Sequence, residues 1–447
     1  MGRKKGWGHR RGWVWCVVVV VLVLTWLWRR QEEDFEEEGL WASAGAEAAF
    51  WSAERRSSRA CPKVFVYELD PELGDWDRRS TFGQTSVPGV YATEGIDENA
   101  NLLEVVLTRL ASSERCSTRD ASEAELFLVP VFPRAKHWSE WVERCEAMQR
   151  EGLLQKLYAL PHLREETARR HFFVLPRVGY APKCVGWWTS PMPPLVRQFA
   201  RVAVGGYEEF EGDFQRAKTL GKLTASERSR PRALVPRLVS APYVASVRWA
   251  AARREAPPWT NTGPPRRFLF SYSGTPHGAD KAVELRRALS ALCEGNANLC
   301  APSGAADTAD GRLRSTLAKR NATFCLEPPG LTPGRASIVA DLLFGCVPVL
   351  FAPEQDRLWP LHWGDWVRDS RLYVSADVLL ENPNSLLETL AAVPEDAVAR
   401  MRRAIADRAK AMQYATDDMP GDALEVLLRG LADSAASSGT SSRFRRR

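Results

Sequence analysis

The stretch from Asn321 to Phe351, NATFCLEPPGLTPGRASIVADLLFGCVPVLF, constrains this chain more than any other. Ala322–Leu326 is an apolar run of strand length, and Glu327–Leu331 is a loop rich in Pro and Gly. Thr332-Pro333 then predicts a helix start, because Thr caps free amide groups and Pro suits the first helical position. The helix is expected from Pro333 to about Phe344, with Ile338, Val339, Leu342 and Leu343 on its apolar face and Gly345 ending it. Cys346–Phe351 reads as a second buried strand. Strand, loop, helix, strand is a βαβ unit, and ligands of open α/β sheets bind at the carboxyl ends of the strands. A helix N-terminus aimed there offers amide donors and a positive dipole end, which suit phosphate. Gly330 and Gly334 let a ligand approach the backbone, and Arg335 adds charge in the first turn. The same pattern also fits a plain crossover that binds nothing.

The rest of the chain repeats the alternation. KVFVYEL (Lys63–Leu69), AELFLVPVF (Ala124–Phe132) and HFFVLP (His171–Pro176) read as strands, separated by helices at Asn99–Ser113 and Ser139–Leu160. Ala233–Val244 is a candidate fourth strand, whereas Pro191 to Arg230 has weak periodicity. After a Pro-rich linker, FLFSYSGTPHG (Phe268–Gly278) is a strand running into a Ser/Gly loop. A helix at Leu285–Cys293, a polar loop at Gly304–Arg312, the strand RLYVS (Arg371–Ser375) and helices near Asn384–Val393 and Glu395–Ala411 complete the second half. Strands alternating with helices imply parallel sheets covered on both faces. The expectation is an α/β protein of two Rossmann-like domains, at residues 61–254 and 268–430, joined by a linker at 255–267, with a disordered tail at 431–447.

The amino end is of another kind. A basic head (residues 1–12) precedes the apolar run Trp13–Trp28, flanked by Trp pairs and closed by Arg29 and Arg30. At about 1.5 Å per residue it reaches roughly 24 Å, enough for a thin bilayer. No small-residue cleavage site follows. The heavier basic flank places the N-terminus in the cytosol, so residues 13–28 are expected to be a single transmembrane signal anchor, with a solvated acidic stem at 29–60. Without the basic head and the terminal Arg443, Arg445, Arg446 and Arg447, the overall charge of +6 becomes mildly negative, which argues against nucleic acid as a partner. Eight cysteines lie beyond the span and their pairing is open. Cys293 and Cys300 could close a small loop, Cys61 and Cys116 flank the first βα unit, and Cys325 and Cys346 suit buried thiols. No Cys/His spacing suggests a metal site. Asn321-Ala322-Thr323 is a glycosylation sequon, placed awkwardly against a buried strand.

Six segments in order, KVFVYELDPEL, CSTRDASEAELFLVPVF, HFFVLPRVGY, RRFLFSYSGT, the block from Thr323 to Phe351, and VPEDAVARMRR, resemble the exostosin-type glycosyltransferases of family 47. The resemblance implies a GT-B fold and a type II Golgi membrane enzyme with a luminal catalytic part. It also implies transfer, usually inverting, from a nucleotide sugar (a UDP-sugar here) bound against the second domain, to a glycan or glycoprotein acceptor. Donor-binding residues would be Ser273, Gly274, Gly330, Thr332, Arg335, Ser337 and Asp341. Members usually have a basic residue where Ser337 stands and an acidic one where Ala340 stands, so Arg335 and Asp341 are displaced from the pattern. Leu331 and Arg177 are further departures.

No catalytic base stands out. His277, in the Ser/Gly loop, is the candidate for touching phosphate or an acceptor hydroxyl, while His171 suits a satisfied core histidine. Asp75-Trp76-Asp77 has a DxD form but fits a solvated turn better, and Trp359, Trp363 and Trp366 suit either sugar stacking or core. No cofactor other than the nucleotide-sugar co-substrate is expected, and no metal. Hetero- or homo-oligomers with related transferases are open. The competing expectation is an inactive, membrane-anchored scaffold subunit.

Overall fold

Buried runs alternating with amphipathic helices fold here into two separate parallel sheets. The computed structural model describes residues 60–69, 82–84, 91–93, 101–131, 143, 147, 152–175, 194–205, 237–250, 256–260, 266–274, 281–303, 309–330 and 332–437. All lie within one unit, Ser57–Arg447. The expected tail, anchor and most of the stem fall outside the described residues, as do Asp75, Asp77, Cys145, Arg177, Cys184, His277 and Leu331. Among the described residues, no helix is long and apolar enough to cross a membrane.

The first domain holds β1 (Val64–Val66), a short antiparallel ribbon of β2 (Phe82–Gln84) and β3 (Tyr91–Thr93), and helix α1 (Asn101–Ser112). Strands β4 (Ser117–Thr118), β5 (Leu126–Leu128), β6 (His171–Val174), β7 (Ala200–Ala203) and β8 (Leu238–Ser240) follow. The main sheet has the order β4-β1-β5-β6-β7-β8, with every neighbouring pair parallel. The three expected strands and the fourth are present. Strand β7 was not legible, because Arg201 interrupts its apolar pattern. That guanidinium is buried and donates to the Phe199 carbonyl at 2.8 Å.

His171 is a core histidine, as its place at the start of a buried strand implied. Its ring stacks between Phe127 and Phe199 at centroid distances of 4.7 and 4.8 Å. Nδ1 lies 2.9 Å from the Thr167 carbonyl, which can only accept, so Nδ1 carries the proton and Nε2 accepts from the Tyr67 hydroxyl at 2.9 Å. Burial pulls its pKa down to about 4. The unfolded chain takes up this proton near pH 6.5 and the folded chain only near 4, so stability falls as pH drops through that window, by about 1.4 kcal/mol per unit. His171→Phe keeps the stack and loses the titration. Its deficit against wild type should narrow by about 3 kcal/mol between pH 7 and 4 in denaturant titrations; a deficit constant with pH would contradict the neutral buried ring.

The second domain holds β9 (Phe268–Tyr272), helix α2 (Lys281–Gly295), β10 (Cys300–Ala301), β11 (Ala322–Glu327), helix α3 (Ala336–Leu343), β12 (Val347–Leu350) and β13 (Leu372–Tyr373). All pairs are parallel, in the order β10-β9-β11-β12-β13. Helix α3 buries Ile338, Val339, Leu342 and Leu343 against the sheet, and Gly345, at φ 65, ends it as expected. The polar loop expected at Gly304–Arg312 is corrected: a helix already starts at Ala309 and runs to Ala318, using Leu313 and Leu317 on its inner side. Trp359, Trp363 and Trp366 are core residues, at 0, 0 and 4 % exposure.

Cys61 pairs with Cys116 and Cys293 with Cys300. Cys325 and Cys346 are not free thiols but another disulfide among the described residues, Cα atoms 5.9 Å apart: Cys325 lies opposite Pro348, and Cys346, the residue just before β12, is its diagonal neighbour.

The expected end of the second domain is also corrected. After helix α4 (Glu395–Arg408) the chain crosses back, and helix α5 (Ala423–Ala436) packs on β5 of the first sheet. Leu424, Leu427, Leu428 and Leu431 form its buried stripe, so the helix continues through residues expected to be tail. The crossing is pinned by Arg248 to the Tyr414 carbonyl (3.1 Å), Trp249 N–H to Gln413 (2.7 Å) and Arg115 to Glu425 (2.7 Å). Trp359, in the second domain, donates its indole N–H to the Val204 carbonyl in the first at 3.2 Å.

Candidate functional site

Strands β9 and β11 are neighbours, and the loops after them meet at the carboxyl edge of the second sheet. The helix between β11 and β12 starts later than the sequence suggested. Thr332 is not its N-cap, for its hydroxyl donates to the Gly334 carbonyl at 3.3 Å and its own carbonyl accepts from Gly330 N–H at 2.9 Å. These local bonds keep the backbone extended through Arg335, which is the N-cap residue itself, at φ −144, ψ 141. Arg335 therefore does not point out from a first turn. It lies across the loops, donating to the Pro328 carbonyl (3.1 Å) and the Ser273 carbonyl (3.5 Å), with Glu327 at 3.5 Å.

Two groups join it that the sequence did not single out. Arg286, from α2, presses on Gly330 so closely that a Cβ there would lie 2.9 Å from its Nη2. Tyr272, the last residue of β9, turns its hydroxyl back over the loop; a Cβ on Gly274 would lie 2.6 Å from it. That hydroxyl is buried and has no hydrogen-bond partner among the described residues. Burial raises the Tyr272 pKa, while the charges of Arg335 and Arg286 oppose the rise. Burial, and then the neighbouring Arg335, lowers the pKa of Arg286. An unmatched donor beside two guanidiniums, in loops kept open by Gly274 and Gly330, is a seat for an oxyanion.

Ser273, Gly274, Gly330, Thr332 and Arg335 are thus brought together. Ser337 and Asp341 are not at this seat. The Ser337 hydroxyl donates to Glu327, and Asp341 is fully buried under the loop against Lys319. The reason is helical geometry: one residue is about 100° of turn, so Asp341 faces the core where Ala340, at 5 % exposure, flanks it. Lys319 Nζ lies 3.1 Å from Glu327 and also contacts Asp341 and the Ser337 carbonyl at 3.3 Å. One cation serves two buried carboxyls. Burial and the Glu327 charge raise Asp341 well above the usual carboxylate range. Burial pushes Glu327 up too, but Lys319, Arg335 and Ser337 more than offset it. The shared cation thus sets the two carboxyls apart, Glu327 below and Asp341 above the usual carboxylate range.

A family model, the Exostosin GT47 domain, matches residues 58–362. Among relatives, "Probable xyloglucan galactosyltransferase GT13" of Arabidopsis thaliana is 25 % identical over 319 residues, covering 69 % of this chain and 63 % of that protein. "Xyloglucan-specific galacturonosyltransferase 1" of the same plant is 35 % identical over 98 residues, covering 21 and 15 %. "Probable beta-1,4-xylosyltransferase IRX10L", also from Arabidopsis thaliana, is 32 % identical over 116 residues, covering 25 and 26 %. The chain spans less than two thirds of the length of each of these relatives. The family model covers more than half of the chain and takes in both sheets up to His362, and on that match the protein belongs to the exostosin GT47 family.

Proposed function

We propose that this protein is a glycosyltransferase that moves a sugar from a UDP-sugar to a cell-wall-type glycan, with inversion and without a metal ion. The carrying observation is the buried Tyr272 hydroxyl beside Arg286 and Arg335 at the carboxyl edge of a parallel sheet. In a single displacement the acceptor hydroxyl attacks the anomeric carbon, its proton passes to a base, and the nucleoside diphosphate leaves with the bonding pair. The charge gathering on the diphosphate is met by the two guanidiniums and the Tyr272 hydroxyl, groups already in place before reaction. Relatives named for galactosyl, galacturonosyl and xylosyl transfer support the substrate class. The three disulfides among the described residues support an oxidising compartment, which accords with a Golgi type II protein anchored through residues 13–28.

A second reading, a non-catalytic scaffold subunit, draws on Asp341, whose carboxyl is committed to Lys319 in the core, and on the uncharged Ala340 beside it. Calorimetric titration with UDP and with UDP-galactose, UDP-xylose, UDP-glucuronate and UDP-galacturonate separates the two. UDP and at least one sugar donor should bind in the range of about 1 μM to 1 mM typical of enzyme substrates, unchanged by EDTA. Silence across the panel would leave the scaffold reading standing.

A further inference from the structure

The sequon Asn321-Ala322-Thr323, which looked ill placed in the sequence, sits differently in the fold. Asn321 closes the short 3-10 turn Lys319–Asn321 and is exposed, whereas Ala322 is fully buried and begins β11. Asn321 thus lies on the exposed turn just before the strand, Ala322 enters the core and Thr323 is half-buried. The backbone beneath is held fast. Arg266 donates to the carbonyls of Lys319 (2.6 Å) and Ala322 (3.0 Å), and also to that of Phe344. The Asn321 side chain leaves the sheet at the amino ends of β9 and β11, where Ala322 pairs with Phe268.

We infer that Asn321 carries an N-linked glycan. The inference rests on the luminal orientation proposed above. The disulfides among the described residues independently mark the chain as one that matures where such glycans are attached. The location is compatible with function. Strand β11 runs six residues from Ala322 to Glu327, roughly 18 Å at the rise of a β-strand. The Arg286–Tyr272–Arg335 seat is at its far end. A bulky, hydrated chain at Asn321 therefore covers the amino edge of the second sheet and leaves the crevice open.

The test is an enzymatic deglycosylation assay on the full chain, expressed in a eukaryotic secretory host with a reporter sequon appended at its C-terminus. Wild type should lose two glycans to peptide-N-glycosidase F. Asn321→Gln and Thr323→Ala should each lose one, and Thr323→Ser, which keeps the sequon, should again lose two. UDP affinity of Asn321→Gln should match wild type. A wild-type shift of the reporter alone would overturn the assignment while leaving the luminal orientation intact. An unshifted reporter would overturn both.

Discussion

Replacing Lys319 by Met should lower the unfolding free energy by about 3–5 kcal/mol, the usual consequence of stripping the partner from a buried charge. The Lys319 side chain is 7 % exposed and faces Glu327 and Asp341, at 3 and 0 %. Without the ammonium, Glu327 keeps Arg335 and Ser337, but the two carboxyls confront each other with nothing positive between them. Both are then driven toward protonation, so the damage should be smaller at pH 5 than at pH 8. The compensating variant is Lys319→Met/Asp341→Leu, which replaces the buried pair by apolar groups of similar size. Such swaps are often neutral, and it should recover most of the loss, since Glu327 retains its ties to Arg335 and Ser337. Guanidinium titrations of the three proteins decide the matter. A single variant as stable as wild type, or a double variant no better than the single, would mean the triad does not hold the loop.

Arg286→Ala and Arg335→Ala should each weaken UDP binding about ten- to a hundred-fold, because each removes a charge-assisted contact of about 1.5–3 kcal/mol. Their losses should not add, since both guanidiniums serve the same anion. Tyr272→Phe carries a sharper signature. In the free protein its hydroxyl is buried and has no partner among the described residues, so removing it should leave stability unchanged or improve it. In the complex that hydroxyl donates to phosphate, and UDP affinity should drop about two- to ten-fold. A change that raises the melting temperature and weakens UDP points to a group held for its ligand. Lower stability with unchanged affinity would make Tyr272 an ordinary core residue and remove the central support for the donor seat.

The βαβ block was legible because its signals are local. Apolar runs of strand length, a Gly/Pro loop and a Gly at the helix end each act on their own neighbours, and β11, the end of α3 and β12 lie where those signals put them. The start of α3 was misread because Thr332 and Arg335 spend their side chains on the loop rather than on a cap, a choice made by Pro328 and Ser273, contacts that spacing does not reveal. Arg286 and Tyr272 were invisible for a related reason. In the sequence one is a middle residue of a charged helix and the other the end of an apolar strand. Only the parallel pairing of β9 with β11 gives them a shared loop. Asp341 erred the other way: its sequence neighbourhood suggested the crevice, and the helix rotation sends it to Lys319.

The return of α5 to the first sheet makes the two domains interdependent in a way a linear map conceals. The main chain passes between them twice, once between β8 and β9 and again near Tyr414, where Arg248 and Trp249 grip the crossing. A protease that cuts between β8 and β9 would therefore not liberate a half-molecule. The severed pieces would stay bound through α5, Trp359 and the Arg115–Glu425 pair. Conversely, a clone ending before Ala423 would strip the first sheet of a helix that residue numbering assigns to the other half. Any opening of the crevice must bend both connections together, so the motion available is that of a double strap rather than a single free hinge.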